Sequence, residues 1–392
     1  MAEGMISSED KGRGETLRDC AERYLFELAN RCMVQVKIDE TSVYNRFKSC
    51  RLHDLIRDLS LSKEKKRRFL EVMDREMGRE ESSICKTNRL AIHLKRLDND
   101  HSYSIGENKN IRSLLFLPKN RPLINLDSCI TFGIFKYLKV LVLEGYVFEN
   151  GNLPKGIEKL KLLKLLSLED SYVNKLPPSI CKLPCLQTLN VKRTITLPNY
   201  IYKMRRLRHL FLRENRVSSG GGKLKLKGLN ELETITGSIV CIKLRIDMDV
   251  NMNSEDGSTL LRRIDEDPME ILEKLPMLRE LNLSTDAYVG REMVCGATGF
   301  PQLRKIILEG LPNLVEWRVE KGAMPDLSTL EIRCCRKLKM MPDGLKFITS
   351  LKKLSIVGMR EEFEKRMRVV NGEEGEDYHK IKPIPFVHIY KD

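Results

Sequence analysis

Apolar residues between Leu153 and Leu212 recur in three aligned sets. Leu153, Pro154, Ile157, Leu160, Leu163, Leu166 and Leu168 form the first. Leu176, Pro177, Ile180, Leu183, Leu186, Leu189 and Val191 repeat it, and Leu197, Pro198, Ile201, Met204, Leu207, Leu210 and Leu212 repeat it again. A spacing of 20–29 residues with L-x-x-L-x-L inside each set is the signature of a leucine-rich repeat. Each copy supplies a short strand, such as Leu186 to Val191, whose leucines point inward. The Leu-Pro pair and the following Ile lie on the return path, where proline ends regular structure. One copy cannot bury its own apolar face, so the copies must stack.

The same pattern marks the limits of the array. Ile111, Leu114 and Phe116 open it, and Leu138, Leu141 and Leu143 follow. A poorer stretch, about 214–274, holds Ser218–Gly222, a weak copy at Leu232 and Ile235, and an acidic loop from Asn253 to Asp267. Regular copies return at Leu278/Leu281/Leu283, Leu303/Ile306/Leu308, Leu327/Leu330/Ile332 and Leu351/Leu354/Ile356. Residues 359–392 break the pattern, with a charged helix over Arg360–Arg368 and an acidic, flexible Gly372–Asp377, and suit a polar cap on the last repeat. The predicted fold class is an α/β solenoid: a leucine-rich-repeat horseshoe over 111–358, with a parallel sheet on its concave face.

Upstream the period changes. Thr16 and Asp19 mark a helix start, and Leu17, Cys20, Ala21, Tyr24, Leu25 and Leu28 keep helical spacing to about Asn30. Val34, Val36 and Ile38 alternate as a strand, Asp39–Thr41 turns the chain, and a second helix starts near Leu52 with Leu52, Leu55, Ile56 and Leu59 on one face. The charge run Lys63–Arg68 continues that helix. Residues 1–78 have the outline of a small winged helix, and 79–110 form a polar linker and the first strand of the repeat domain at Leu90, Ile92 and Leu94.

Composition narrows the function. The 392-residue chain is 41% hydrophobic and 32% charged, which fits an ordered, soluble protein. It has no run of 18 uncharged apolar residues and no basic–apolar start, so neither a membrane span nor a secretory signal is expected. Eleven scattered cysteines without C-x-x-C fit a reduced, cytoplasmic protein, with a location that extends to the periphery of the plasma membrane. A net charge of +14 raises nucleic acid or an anionic membrane surface as partners. The basic residues follow the repeats and lack interleaved aromatics, so a solvated basic surface is the simpler reading and no nucleic acid is expected.

Residues between the repeat leucines face the concave side and are the candidate partner-binding set: Arg208, His209, Phe211, Arg213, Arg304, Lys305, Arg333 and Lys352. Phe211 reads as the one exposed aromatic there, the profile of an interface anchor. None of the six histidines sits beside a Ser or Cys in a hydrolase signature, and no metal-ligand spacing occurs, so the expected role is binding rather than catalysis.

One stretch narrows this to a family. Cys50-Arg-Leu-His-Asp-Leu-Ile-Arg-Asp-Leu59 follows Ala21–Asn30 and Val34-Gln-Val36, and an irregular repeat array ending in Gly375-Glu-Asp-Tyr378 comes after it. Together these resemble the C-terminal half of a plant coiled-coil, nucleotide-binding, leucine-rich-repeat disease-resistance protein, over essentially the whole chain. The resemblance implies repeats that recognise a pathogen effector or the host protein it modifies, and that restrain the nucleotide switch. The family's Met-His-Asp motif matches Leu52, His53 and Asp54, which implies His53 at the ADP phosphates and Asp54 bracing the turn. A helix N-terminus with free N–H groups suits that role. Yet no G-x-x-x-x-G-K-[ST] occurs, so no cofactor is expected for this chain alone, although complete family members use ADP and ATP. The family's nucleotide-binding subdomains and coiled coil would lie before residue 1, so the chain reads as a fragment, a truncated product or a reduced relative. A second reading is a regulatory decoy that binds the nucleotide-binding half of a full-length receptor. A third, ranked lowest, is a substrate receptor of a ubiquitin ligase, because residues 1–60 lack a helical adaptor motif.

Overall fold

The computed structural model describes residues 2–12, 15–38, 47–67, 69–75, 87–94, 109–118, 124–126, 132–148, 151–192, 200–212, 226–237, 267–284, 287–288 and 290–390. They divide into two units: Met1–Tyr146 with Pro154–Leu166, and Val147–Leu153 with Ser167–Asp392. The turn at 39–41, the linker over 79–86, Leu197, Pro198, Ser218–Gly222 and the acidic loop up to residue 266 lie outside the described residues.

In the first unit, α1 (Leu17–Asn30) starts at the predicted cap. Asp19 N donates to Thr16 Oγ1 at 3.0 Å and Thr16 N to Asp19 Oδ2 at 2.9 Å, so two otherwise unbonded amides are satisfied reciprocally. β1 (Val34–Ile38) pairs antiparallel with β2 (Phe47–Leu52), with Val34 opposite Leu52 and Val36 opposite Cys50. The apolar pattern did not reveal β2, because Lys48, Ser49 and Arg51 dilute its alternation. α2 (Asp54–Arg67) runs through the charge run as expected. Its apolar side is not core, however: Leu55 is 75% exposed, and Leu52 and Leu59 also face solvent.

A parallel ladder follows: β3 (Glu71–Arg75), β4 (Arg89–Leu94) and β5 (Ser113–Pro118), then the short β6 (Ile124–Leu126), then β7 (Val140–Leu143) beside β5. The ladder therefore begins upstream of Ile111, where the pattern placed the first copy. Met73, Ile92, Phe116 and Leu143 are successive register partners. Phe116 meets Phe132 and Tyr146 edge to face at 6.3 and 6.2 Å, so aromatics fill this core where leucines fill the later copies. On the return side, the turns Phe132–Ile134 and Ile157–Lys159 stack closely. Gly156 has φ 92°, and a Cβ there would lie 2.5 Å from Gly133 N, so only glycine permits this approach. Lys164 N and Leu165 N both donate to Lys139 O, at 2.8 and 3.1 Å, which brings Lys139 and Lys164 side by side.

Beyond β8 (Tyr146–Phe148) come β9 (Leu165–Ser167), β10 (Thr188–Asn190), β11 (His209–Phe211) and β12 (Thr234–Gly237). The copies around them turn back through short 3-10 segments at Pro178–Lys182 and Ile201–Lys203, on the predicted return path. After α3 (Met269–Leu272) come β13 (Glu280–Leu283), β14 (Glu292–Cys295), β15 (Lys305–Glu309), β16 (Glu316–Val319), β17 (Thr329–Arg333) and β18 (Lys353–Val357). β10, β11, β12, β13, β15, β17 and β18 pair in parallel in that order, while β14 and β16 form a separate parallel pair. Leu189, Leu210, Ile235, Leu281, Ile306, Leu330 and Leu354 form one buried row through the ladder. The fold is a parallel-sheet solenoid of leucine-rich repeats.

The C-terminal segment is more ordered than its composition indicated. α4 (Glu361–Lys365), the hairpin β19 (Val369–Val370) and β20 (Glu373–Glu374), and α5 (Tyr378–Ile381) lead to β21 (Phe386–Tyr390), which pairs in parallel with β18. Gly372–Asp377, expected as a flexible run, ends in a buried carboxylate. Asp377 bonds to Arg366 Nε at 2.9 Å, Lys380 Nζ at 2.7 Å and Met341 N at 3.1 Å. Lys380 also reaches Asp343 at 2.7 Å and Met341 O at 2.8 Å, so the cap is clamped to the last return turn.

Candidate recognition face of the repeats

Because side chains alternate along a strand, the residues between the buried leucines form the open face of the second unit's sheet. Register arranges them in columns. His209, Thr234, Glu280, Lys305, Thr329, Lys353 and Phe386 are successive partners in one. Phe211, Thr236, Asn282, Ile307, Glu331, Ser355 and His388 are partners in the next. Arg208, Arg304 and Lys352 lie in neither, but one position before their strands. A backbone ladder joins that row: Glu233 N to Arg208 O (2.8 Å), Arg279 N to Glu233 O (2.9 Å), Arg304 N to Arg279 O (2.8 Å), Ser328 N to Arg304 O and Lys352 N to Ser328 O (both 3.0 Å).

The predicted residues differ in how available they are. Lys352 is exposed and Arg304 half-buried. Arg208 is half-buried, with Glu231 at 3.3 Å and Glu233 at 3.8 Å. His209 was expected to be exposed, but only 7% of it is accessible. Its ring stacks on Phe211 with centroids 6.5 Å apart, and its Nδ1 lies 3.2 Å from Thr234 Oγ1. Phe211 is accordingly half-buried rather than fully exposed. Arg213 lies outside the described residues. Lys305 is buried, and its Nζ is 2.8 Å from Glu331 Oε1, while Arg333 holds the other Glu331 oxygen at 2.5 Å. Glu331 is 0% exposed. A buried carboxylate between two cations is strongly favoured over either partner alone. Lys305 and Arg333 are thus engaged within the sheet rather than presented for an anionic partner.

Exposed aromatics lie one strand further on, where sequence reading placed the cap and tail. Phe386 is 61% exposed and Tyr390 56% exposed, and His388 stacks on Tyr390 at 5.9 Å and 11°. All three point to the open face of β21, beside Lys353, Ser355 and Val357 of β18. Exposed aromatics on a rigid strand, flanked by lysine, have the character of interface anchors. The signal that could have found them is the alternation of Phe386-Val-His-Ile-Tyr390 itself.

Residues 1–60 match the family described as disease resistance protein winged helix domain, and residues 110–245 match the leucine-rich repeat region family. The Arabidopsis thaliana disease resistance protein At1g59780 is 34% identical, over 98% of this chain and 49% of its own length. The disease susceptibility protein LOV1 of A. thaliana is 32% identical, over 98% and 50%. Disease resistance protein RPP8 of A. thaliana is 31% identical, over 95% and 49%. The chain belongs to the plant disease-resistance protein family. It spans about half the length of the curated relatives it matches. Among solved structures, the functional domain of InlJ from Listeria monocytogenes aligns with 79% of this chain and 58% of its own, at 14% identity and a TM-score of 0.47.

The motif resemblance directs attention to Leu52, His53 and Asp54. His53 sits immediately before α2 and is half-buried. Its N–H donates to Met33 O at 3.4 Å, and its carbonyl accepts from Arg57 N at 2.8 Å. The Asp54 carboxylate is largely exposed, 3.6 Å from Arg57. ADP would need further donors around its phosphates. His53 and the first amides of α2 lie at the helix start, and the sequence carries no glycine-rich phosphate loop. Among the described residues, no helix is long and apolar enough to cross a membrane.

Proposed function

We propose that this chain is the sensing and restraining part of a plant immune receptor, and that it acts by binding rather than by catalysis. The open face of its repeats would recognise a pathogen effector, or the host protein that an effector modifies. Its winged helix would join that sensor to a nucleotide-binding half. The observation that carries the reading is the direct succession of a disease-resistance winged helix and a repeat sheet with free aromatic anchors at one end. The place of action is the cytoplasm and the inner periphery of the plasma membrane.

A second reading, a regulatory decoy for a full-length receptor, draws on the solvent-facing Leu52, Leu55 and Leu59. An apolar side of that kind is what a nucleotide-binding half would cover.

Co-expression in leaf tissue with the remaining half of the 34%-identical relative tests both readings. Association and a lowered cell-death output are expected, and both should be lost with Leu55→Asp and Leu59→Asp. Full output with no association at low salt, where screening is weakest, would overturn them.

A further inference from the structure

The first unit carries a group of lysines with no carboxylate partner among the described residues. Residues 132–139 and 155–164 contain six lysines and a single carboxylate, Glu158. The two segments are neighbouring return turns, stacked through the glycine contact described above. The bonds to Lys139 O set Lys139 beside Lys164, and Lys136 and Lys161 are exposed on the two neighbouring turns. The Lys159 side chain lies against Gly133. Ile134, Tyr137 and Leu162 are 44%, 54% and 40% exposed. None of these lysines has a carboxylate partner among the described residues; Lys161 Nζ reaches only Glu158 O, at 3.3 Å.

We infer that this pair of turns docks on an anionic phospholipid surface. The inference deepens the peripheral location proposed above and rests on it. Unpaired lysines over two turns are held in place with no counter-charge of their own. Such a cluster gains from anionic headgroups about fivefold in partition for each lysine. The apolar tips decide between possible polyanions. A tyrosine and two aliphatic side chains, set between lysines at a return edge, can enter the headgroup boundary, where tyrosine is favoured. An acidic peptide or a nucleic acid would draw on the lysines but gain little from Ile134 and Leu162.

The test is co-sedimentation of the full chain with vesicles of phosphatidylcholine, with and without phosphatidylserine. Binding should require phosphatidylserine and weaken as salt rises. Lys136→Glu with Lys161→Glu should lower it by tenfold or more. Tyr137→Ser with Leu162→Ser should lower it severalfold at unchanged charge, and Lys274→Glu with Lys346→Glu should leave it near the parent value. Unchanged melting of each variant would show that the fold is retained. Equal binding to both vesicle types would overturn the inference. So would a wild-type response of the Lys136/Lys161 variant, or binding to polyglutamate that matches vesicle binding and ignores the serine pair. None of these outcomes bears on the leaf co-expression result, so the two proposals fail separately.

Discussion

Two basic regions of this protein have opposite electrostatic states. On the open face of the second unit, Lys305 and Arg333 close on the fully buried Glu331, and Arg208 lies between Glu231 and Glu233. On the return edge of the first unit, Lys136, Lys139, Lys159, Lys161 and Lys164 have no carboxylate partner among the described residues. A net charge of +14 does not distinguish them. Where a cation is matched inside the sheet, it holds neighbouring repeats together; where it is unmatched at an edge, it is available to a partner. Basic residues in a repeat protein are therefore sorted by their counter-charges one repeat away, not by the face they occupy.

The comparison breaks most visibly at Glu331. Glu331→Ala leaves Lys305 buried without its counter-charge, and a loss of about 3 kcal/mol is expected, read by denaturant unfolding. A loss no larger than that of an exposed carboxylate would show that the pair is incidental.

Asp377 comes next. Burial alone would raise its pKa, but the bonds from Arg366, Lys380 and Met341 N–H outweigh it and hold the carboxyl below its ordinary value of 3.8. A depressed carboxyl contributes stability above its unfolded pKa and loses it as pH falls through the folded one. The cap should therefore loosen as pH drops below about 4. Asp377→Asn should cost about 2 kcal/mol at neutral pH and flatten that acid limb, as followed by melting against pH.

Removal of the aromatic anchors should act on binding and not on folding. Phe386→Ala with Tyr390→Ala should shift stability by less than about 1 kcal/mol, since both are mainly exposed. The same pair should weaken partner binding by about 2 kcal/mol, roughly thirtyfold.

The smallest effect concerns the thiols. Burial pushes both Cys295 and Cys335 up to about 12. They should resist a thiolate-directed reagent at neutral pH, while the exposed Cys32, Cys50 and Cys334 react. Mass spectrometry of the labelled chain reads the difference.

Leu153–Leu212 could be read from sequence because the patterned leucines, among them Leu160, Leu163, Leu166, Leu186, Leu189, Leu207 and Leu210, are buried between stacked copies and recur at a fixed period. α1 was legible for a similar reason, since its start is marked by a local capping pair. β21 was not. Pro383 and Pro385 precede it, no L-x-x-L-x-L surrounds it, and its pairing with β18 spans the whole cap. β3 escaped because a charged five-residue strand has almost no alternation to show. Period 2 places His209 and Lys305 between the buried leucines of their strands. It could not give their depth, which depends on the height of side chains one repeat to either side. The partner of Lys305 is a residue of the next copy, and nothing local to either residue announces the bond.

The most direct measurement is site-specific photo-crosslinking in leaf tissue exposed to a pathogen. The probe is placed at Tyr390 on the open face, or at Lys337 in the turn after β17. A discrete protein adduct at Tyr390, with none at Lys337, is the expected result for recognition through the open face. Equal adducts at both positions, or an adduct at Lys337 alone, would contradict it.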